Sequence, residues 1–255
     1  MVSHVHRIMN NKLSRLIFII ILLLPCVDFV QLLVMKYQSH LELHPAFSFF
    51  LAGSTRGHAS QILLLWFLPI YFLLLTSEDA IQDSETGYRN ILISKMGRKK
   101  YCLEKLATSF SVSFITMFIS LFLNFILVYI FFRNDTYMRG LNKIELPNNE
   151  LFTLSIAHPY LAVIGFSLVA CVMAGLAGVI GSAFSLFFLD RKYTYIAAFF
   201  IWFVLILKKN STMFLFQPFA EYGFDTLIPV LLLAMALFIL IPFVIFIYEV
   251  KYNES

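Results

Sequence analysis

The sequence predicts an all-α polytopic membrane protein with six transmembrane helices. Of its 255 residues, 60% are hydrophobic and 29 are phenylalanine, and the mean hydropathy is +0.83. One soluble core of this length could not bury so much apolar surface. The net charge is only +4 and the bases lie beside the apolar runs, so we do not expect nucleic-acid binding.

The first predicted span is 16–35, at about 20 residues a span length rather than the shorter core of a cleaved signal peptide. Asp28 lies inside it. An aspartate near the centre of a membrane helix costs roughly 3 kcal/mol, so it should face protein or water. Asp28 is therefore a candidate for a substrate path, and a hydrogen-bonded structural acid is the alternative.

The second to fourth spans are predicted at 60–76, 106–132 and 160–189. Pro69 lies within the second, where neighbouring helices must satisfy the carbonyl that a proline leaves unpaired. The third is longer than a hydrocarbon core of about 30 Å requires, so it must tilt or project. Small residues on one face of the fourth predict close helix packing, with a glycine hinge as the alternative; they are Ala174, Gly178, Gly181, Ser182 and Ser185.

The fifth span, 195–207, is short, and it crosses only if the flanking bases reach the two surfaces or the bilayer thins. Residues 211–225 fit a re-entrant or interfacial piece, and 226–248 is the sixth span. With the N-terminus inside, 12 of the 19 bases fall on the inner side. The positive-inside rule therefore predicts a plasma-membrane protein with both termini in the cytoplasm.

The segment 78–105 is the long charged stretch between two spans. Its acids are concentrated before Gly87 and its bases after Lys95, a gradient that favours a short helix between them. Tyr88, Ile91 and Leu92 recur at helical spacing and predict an apolar patch on this helix. Such a patch requires a groove on another protein or a membrane surface, whereas the alternative is an ordinary solvated loop.

The pattern Glu85-x-Gly87, followed by Ile91-Leu92-Ile93-Ser94 and a basic run, resembles the cytoplasmic loop of type-2 ABC exporter permeases. The six-span layout is similar to that family as well. The resemblance implies a coupling helix that docks on an ATP-binding cassette subunit. It implies Glu85 and Gly87 at the helix entry, Tyr88, Ile91 and Leu92 as docking side chains, and Arg98, Lys99 and Lys100 at the membrane surface or the rim of the partner.

The chain contains no G-x-x-x-x-G-K-[S/T] phosphate loop, so ATP and magnesium are expected in a separate partner subunit and no cofactor in this chain. The resemblance also implies a second permease chain, either identical or similar. The expected function is the permease subunit of an exporter for a hydrophobic or amphipathic substrate, and the resemblance suggests an antimicrobial-type peptide.

The alternatives are a secondary transporter or an intramembrane enzyme. We expect no catalytic residues, because all six histidines lie outside the span centres. His40 and His44 lie four residues apart after the first span, but a pair without further ligands does not predict a metal site.

Overall fold

The computed structural model describes residues 2–39, 42–144, 146, 149–188 and 190–252, and this part of the chain is helical with no extended strand. The last residue of the predicted span 160–189 lies outside the described residues. The helices are α1 (Val2–Asn10), α2 (Lys12–Ser39), α3 (Pro45–Ser48), α4 (Ala59–Trp66), α5 (Leu68–Thr76), α6 (Glu78–Glu85), α7 (Tyr88–Met96), α8 (Arg98–Phe132), α9 (Glu150–Ala157), α10 (Pro159–Phe187), α11 (Arg191–Leu207) and α12 (Phe224–Lys251). Short 3-10 helices lie at Phe50–Ala52, Arg56–His58, Leu141–Lys143 and Thr212–Phe216.

Four of these helices, α2, α8, α10 and α12, are long and apolar enough to cross a membrane. The prediction of an all-helical membrane protein is confirmed at that level. The predicted second span is broken into α4 and α5, which meet at an angle of 44° and would make a fifth span if the pair crosses as one. Helix α11 has 17 residues, or about 26 Å, which is shorter than the hydrocarbon core.

Helix α8 begins well before the predicted third span. It has 35 residues, a length of about 52 Å, and it starts at Arg98 rather than at residue 106. The additional turns contain bases, so the excess length lies at the charged end of the helix.

Helix α10 lies at the centre of the bundle and packs on α8, α5 and α12. A Cβ built on Gly178 would lie 2.1 Å from the Ser113 hydroxyl of α8, and one on Gly181 would lie 3.0 Å from Leu73 of α5. A side chain at Gly178 would therefore require Ser113 to shift, and one at Gly181 would press against Leu73. All five residues of the predicted small-residue face are buried: Ala174, Gly178, Gly181, Ser182 and Ser185.

Two prolines inside the bundle each leave a backbone carbonyl without its helical donor, and a neighbouring helix supplies one. Pro25 cannot donate to the carbonyl of Ile21, which accepts instead from the Ser120 hydroxyl of α8 at 2.7 Å. Pro69 likewise frees the carbonyl of Leu65, which accepts from the indole Nε1 of Trp202 in α11 at 3.1 Å. The bend between α4 and α5 is therefore fixed by α11.

The bundle has two chemically different ends. At the end that we call the hairpin end, α1, α6, α7 and the last turn of α12 meet, as the contacts Arg7 to Asp83 and Arg89 to Glu249 show. At the opposite end, the loop end, Lys36 pairs with Asp135 at 2.6 Å. The rings of Phe47 and Phe219 also stack there, with centroids 4.2 Å apart.

The described chain runs between these two ends six times, along α2, α4 with α5, α8, α10, α11 and α12. Its first helix and its last described residues both lie at the hairpin end.

Candidate functional site

The segment 78–105 folds into a helical hairpin, α6 and α7, followed directly by the start of α8. Gly87 makes the turn with φ +71°, and Gly97 separates α7 from α8 with φ +81°. Both values lie in the left-handed region that favours glycine. The predicted short helix corresponds to α7, but the acids that were expected to stabilise its start belong to a separate helix, α6.

The acidic side chains of α6 point into the bundle. Glu78, Asp79 and Asp83 are buried, whereas Glu85 is exposed. Asp79 forms an ion pair with Lys105 of α8, with 2.5 Å between Oδ1 and Nζ, and both side chains are almost completely buried. Charges removed from water in this way are stable only as pairs. Helix α6 is therefore held against α8.

Asp83 joins α6 to the N-terminal helix α1. Its carboxylate accepts two hydrogen bonds from the guanidinium of Arg7, one of them 2.9 Å long between Nη1 and Oδ2. Bidentate pairing of this kind fixes orientation as well as charge. His4, one turn earlier in α1, is buried, and its pKa is lowered by burial and by the nearby Lys105, so its ring is neutral at pH 7.

Helix α7 is anchored by Arg89, a residue that the sequence analysis did not single out. The guanidinium of this buried arginine lies 2.6 Å from Glu249 of α12 and donates to the carbonyl of Leu186 at 3.1 Å. That carbonyl belongs to the last turn of α10, where backbone acceptors lack helical donors. Arg89 therefore ties α7 to the ends of two long helices.

The helical periodicity of the segment that forms α7 could have identified Arg89 as a buried residue. Residues 89, 92, 93 and 96 form the inner face of α7, at spacings of three, one and three. A charged residue on that face has to find a buried partner.

The structure separates the three predicted docking side chains. Tyr88 and Ile91 are 42% and 49% exposed and lie on the outer face of α7. Leu92 instead lies half-buried against the cluster that contains Tyr101 and Leu186. The guanidinium of Arg7 stacks over the ring of Tyr88 at 5.2 Å from its centroid, so this part of the outer face has a cationic neighbour.

The remaining predicted residues lie on both sides of this hairpin. Arg98, Lys99 and Lys100 form the first turn of α8, beside Gly97. Glu85 lies 3.4 Å from Arg191, the first residue of α11. Arg191 is also 3.6 Å from Glu78, which accepts a hydrogen bond from the hydroxyl of Tyr195. These contacts connect α6 to the start of α11 as well.

Asp28 is far from the hairpin, in the half of α2 that leads to the loop end. Its buried carboxylate accepts hydrogen bonds from the hydroxyls of Thr55, at 2.7 Å, and Ser60, at 3.0 Å. These donors come from the segment that returns into the bundle after α3. Both hydroxyls bind Oδ1, and the buried Oδ2 has no hydrogen-bond partner among the described residues.

The described residues contain no group of three or more histidine, cysteine, aspartate or glutamate side chains placed to hold a metal ion. His40 lies outside the described residues. The Nδ1 of His44 accepts from the backbone N–H of Ala46 at 3.2 Å and so caps α3.

No protein-family model and no solved structure matches the chain. The chain is 57% identical to the uncharacterized protein YybM of Bacillus subtilis (strain 168), over 255 residues that cover all of both proteins. Identity at this level along the entire length means a shared fold and common descent. The chain therefore belongs to the same protein family as YybM.

Proposed function

We propose that the chain is the membrane-spanning permease subunit of an ATP-driven exporter, with six spans and with α7 as the coupling helix. One observation carries this proposal. Helix α7 presents the exposed apolar side chains of Tyr88 and Ile91 at the charged end of the bundle, while its other face is fixed by the buried Arg89. An exposed apolar patch on a firmly anchored helix suits docking to a partner protein.

The anchoring supports transmission of movement. The hairpin is joined to α8 by Asp79, to α1 by Asp83, and to α10 and α12 by Arg89. Breaking a buried ion pair by removing one partner costs about 3–5 kcal/mol, so the hairpin moves together with these helix ends instead of separating from them. A displacement of α7 by a nucleotide-dependent partner would then reach the long helices directly.

The partner in this proposal is a separate ATP-binding cassette subunit that carries ATP and magnesium. The outer face of α7 includes the exposed Lys95, so the docking surface is apolar with a base at its rim. An acidic rim around an apolar groove on the partner would complement it. A second permease chain completes the translocation path.

The apolar surfaces of the bundle support the proposed substrate class. A cleft of about 340 Å³ at the loop end lies between α9, α10 and α12 and is lined by Leu154, Leu161, Phe166 and Ile228. Its size lies in the range of small-molecule sites, and its apolar lining suits a hydrophobic or amphipathic substrate. We propose export of such a substrate, in the manner of an antimicrobial-type peptide.

The test needs a candidate ATP-binding cassette ATPase, which we expect a neighbouring reading frame to encode, expressed and purified together with this chain in detergent. We expect Tyr88→Ala and Ile91→Ala each to lower the amount of copurified ATPase, and ATP hydrolysis per permease, about 10-fold, the loss typical of a central interface residue. Both side chains are exposed, and Ile91→Ala leaves the contact between Arg7 and the Tyr88 ring in place.

Tyr137→Ala is the matched control, because Tyr137 is 51% exposed but lies at the loop end. We expect it to copurify the ATPase as the unaltered chain does. Equal copurification and equal turnover in all three variants would contradict docking on α7.

A further inference from the structure

A second cleft lies at the hairpin end, where α7 gives way to α8 and both face the last turns of α12. Its volume is about 480 Å³. Arg98, Lys99 and Lys100 line its outer part, and Leu103 and Val250 line its inner part. Gly97 borders it, and a Cβ at that position would meet no atom within 4 Å, so this side of the cleft is open.

The cleft has an excess of positive charge. Its lining residues include three bases and one acid, Glu104. Lys99 and Lys100 are exposed and form no salt bridge with another described residue.

Lys99 and Lys100 also lie in the first turn of a 35-residue helix, which has no acid there and no side-chain cap on Gly97. Bases at the N-terminus oppose the helix dipole. An anion bound in the cleft would relieve this unfavourable arrangement.

The inner part of the cleft is apolar. Leu103, one turn further along α8, is 48% exposed although it is a large hydrophobic side chain. Tyr248 and Tyr252, at the same end of α12 as Val250, stack with ring centroids 5.9 Å apart, and both are exposed. Exposed tyrosines near the end of an apolar helix are typical of the lipid headgroup level. The polarity of the cleft thus changes from basic to apolar over one helical turn, as the polarity of a phospholipid changes from headgroup to acyl chain.

We propose that this cleft binds one anionic phospholipid. The phosphate lies against Lys99 and Lys100, and the upper part of an acyl chain lies along Leu103 and Val250. A free phosphate would use only the basic half and would leave the exposed Leu103 unexplained. The site requires the hairpin end to lie at headgroup level, and it does not depend on whether an ATPase docks on α7.

The experiment measures lipid binding to the full chain in detergent by native mass spectrometry, with added phosphatidylglycerol, phosphatidylcholine or inorganic phosphate. Each base near an anionic headgroup contributes to binding, so we expect Lys99→Gln/Lys100→Gln to weaken phosphatidylglycerol binding about 30-fold. The matched control is Lys208→Gln/Lys209→Gln, an exposed pair at the loop end, where we expect less than about a threefold change. Phosphatidylcholine and inorganic phosphate should bind at least about 10-fold more weakly than phosphatidylglycerol.

Three results would overturn the proposal. Equal losses in the two double variants would mean unspecific attraction to anionic lipid. Phosphate binding as strong as that of phosphatidylglycerol would mean an anion site without a lipid component. Unchanged lipid binding in Lys99→Gln/Lys100→Gln, together with loss of ATPase copurification, would assign the two lysines to the rim of the partner.

Discussion

At the scale of single residues, the buried acids of α6 hold the hairpin end together through their partners on other helices. Each acid of the inner face of α6 has its own base or hydroxyl on another helix, and none of the three is shared with solvent to any large extent. Substitutions are therefore tolerated less well at these charged positions than at the apolar positions around them. A core residue can be exchanged for another of similar volume, but a buried charge cannot lose its partner cheaply.

The pair of Lys105 and Asp79 provides the residue-level prediction. Lys105→Met leaves Asp79 charged and buried without a partner, so we expect a loss of about 3–5 kcal/mol of stability, seen as a lower thermal unfolding midpoint in detergent. Adding Asp79→Leu should restore most of the loss, because the double variant contains no unpaired charge. Lys208→Met, at an exposed position, should leave the midpoint unchanged. A double variant as unstable as Lys105→Met alone would contradict this explanation.

At this scale, the sequence could not predict which residue each buried polar side chain contacts. The depth of Asp28 in an apolar run predicted that it faces protein, but its donors Thr55 and Ser60 lie 27 and 32 residues away in a segment without periodicity. Arg89 and Glu249 are 160 residues apart. Contacts at such separations depend on how helices are arranged, which no local pattern determines.

At the scale of elements, the long apolar runs predicted the ends of α2, α10 and α12 to within about one turn. Helix α8 differs more, because it starts at Arg98 instead of residue 106. The hydrophobicity of these four helices is continuous and each is longer than a span requires. The charged segment was predicted less completely. Gly87 was read as the entry to one helix, whereas it separates two, and the inward face of α6 carries acids that resemble a solvated surface until their partners are known.

The close contact of α10 with α8 gives the element-level prediction. In most helices alanine stabilises relative to glycine by about 1 kcal/mol. Gly178→Ala should instead destabilise by about 1–3 kcal/mol, because the new methyl group would overlap the Ser113 hydroxyl. Gly165→Ala is the control, since a Cβ at that position of the same helix meets no atom within 4 Å. We expect its thermal unfolding midpoint to be equal or higher.

Combining Gly178→Ala with Ser113→Gly should recover part of the loss, since it removes the overlapping hydroxyl and its carbon. If Gly178→Ala and Gly165→Ala raise the unfolding midpoint alike, the helices are not in the contact that the structure shows.

At the scale of the whole molecule, six passes place α1, the hairpin and the last turn of α12 at one end. The weak point of a six-span arrangement is α11, which is short and lies between Arg191 and Lys208. If α11 crosses, the basic side chains at its two ends must reach the two surfaces of the membrane. Whether residue 208 emerges on the outside is therefore the question that decides the topology.

Cysteine accessibility answers this question, on a background in which Cys26, Cys102 and Cys171 are replaced by alanine. We expect a membrane-impermeant maleimide to label Tyr137→Cys and Lys208→Cys in intact cells, and to label Asn90→Cys only after permeabilisation. Tyr137 lies in the loop after α8, and its side of the membrane does not depend on whether α11 crosses. It therefore serves as the reference for an outside position. If Lys208→Cys behaves like Asn90→Cys, α11 does not cross and the six-span proposal is wrong.

The hydrogen bond from Trp202 to the carbonyl of Leu65 also has a consequence for synthesis of the chain. The two residues are 137 positions apart. At about 5–20 residues per second, roughly 7–27 s pass between the appearance of the acceptor and that of its donor. During that interval the bend between α4 and α5 has to keep its carbonyl hydrated or paired outside the final fold. The bend between α4 and α5 therefore reaches its final form only after α11 has been made, and a chain that ends before Trp202 keeps an unfinished bend.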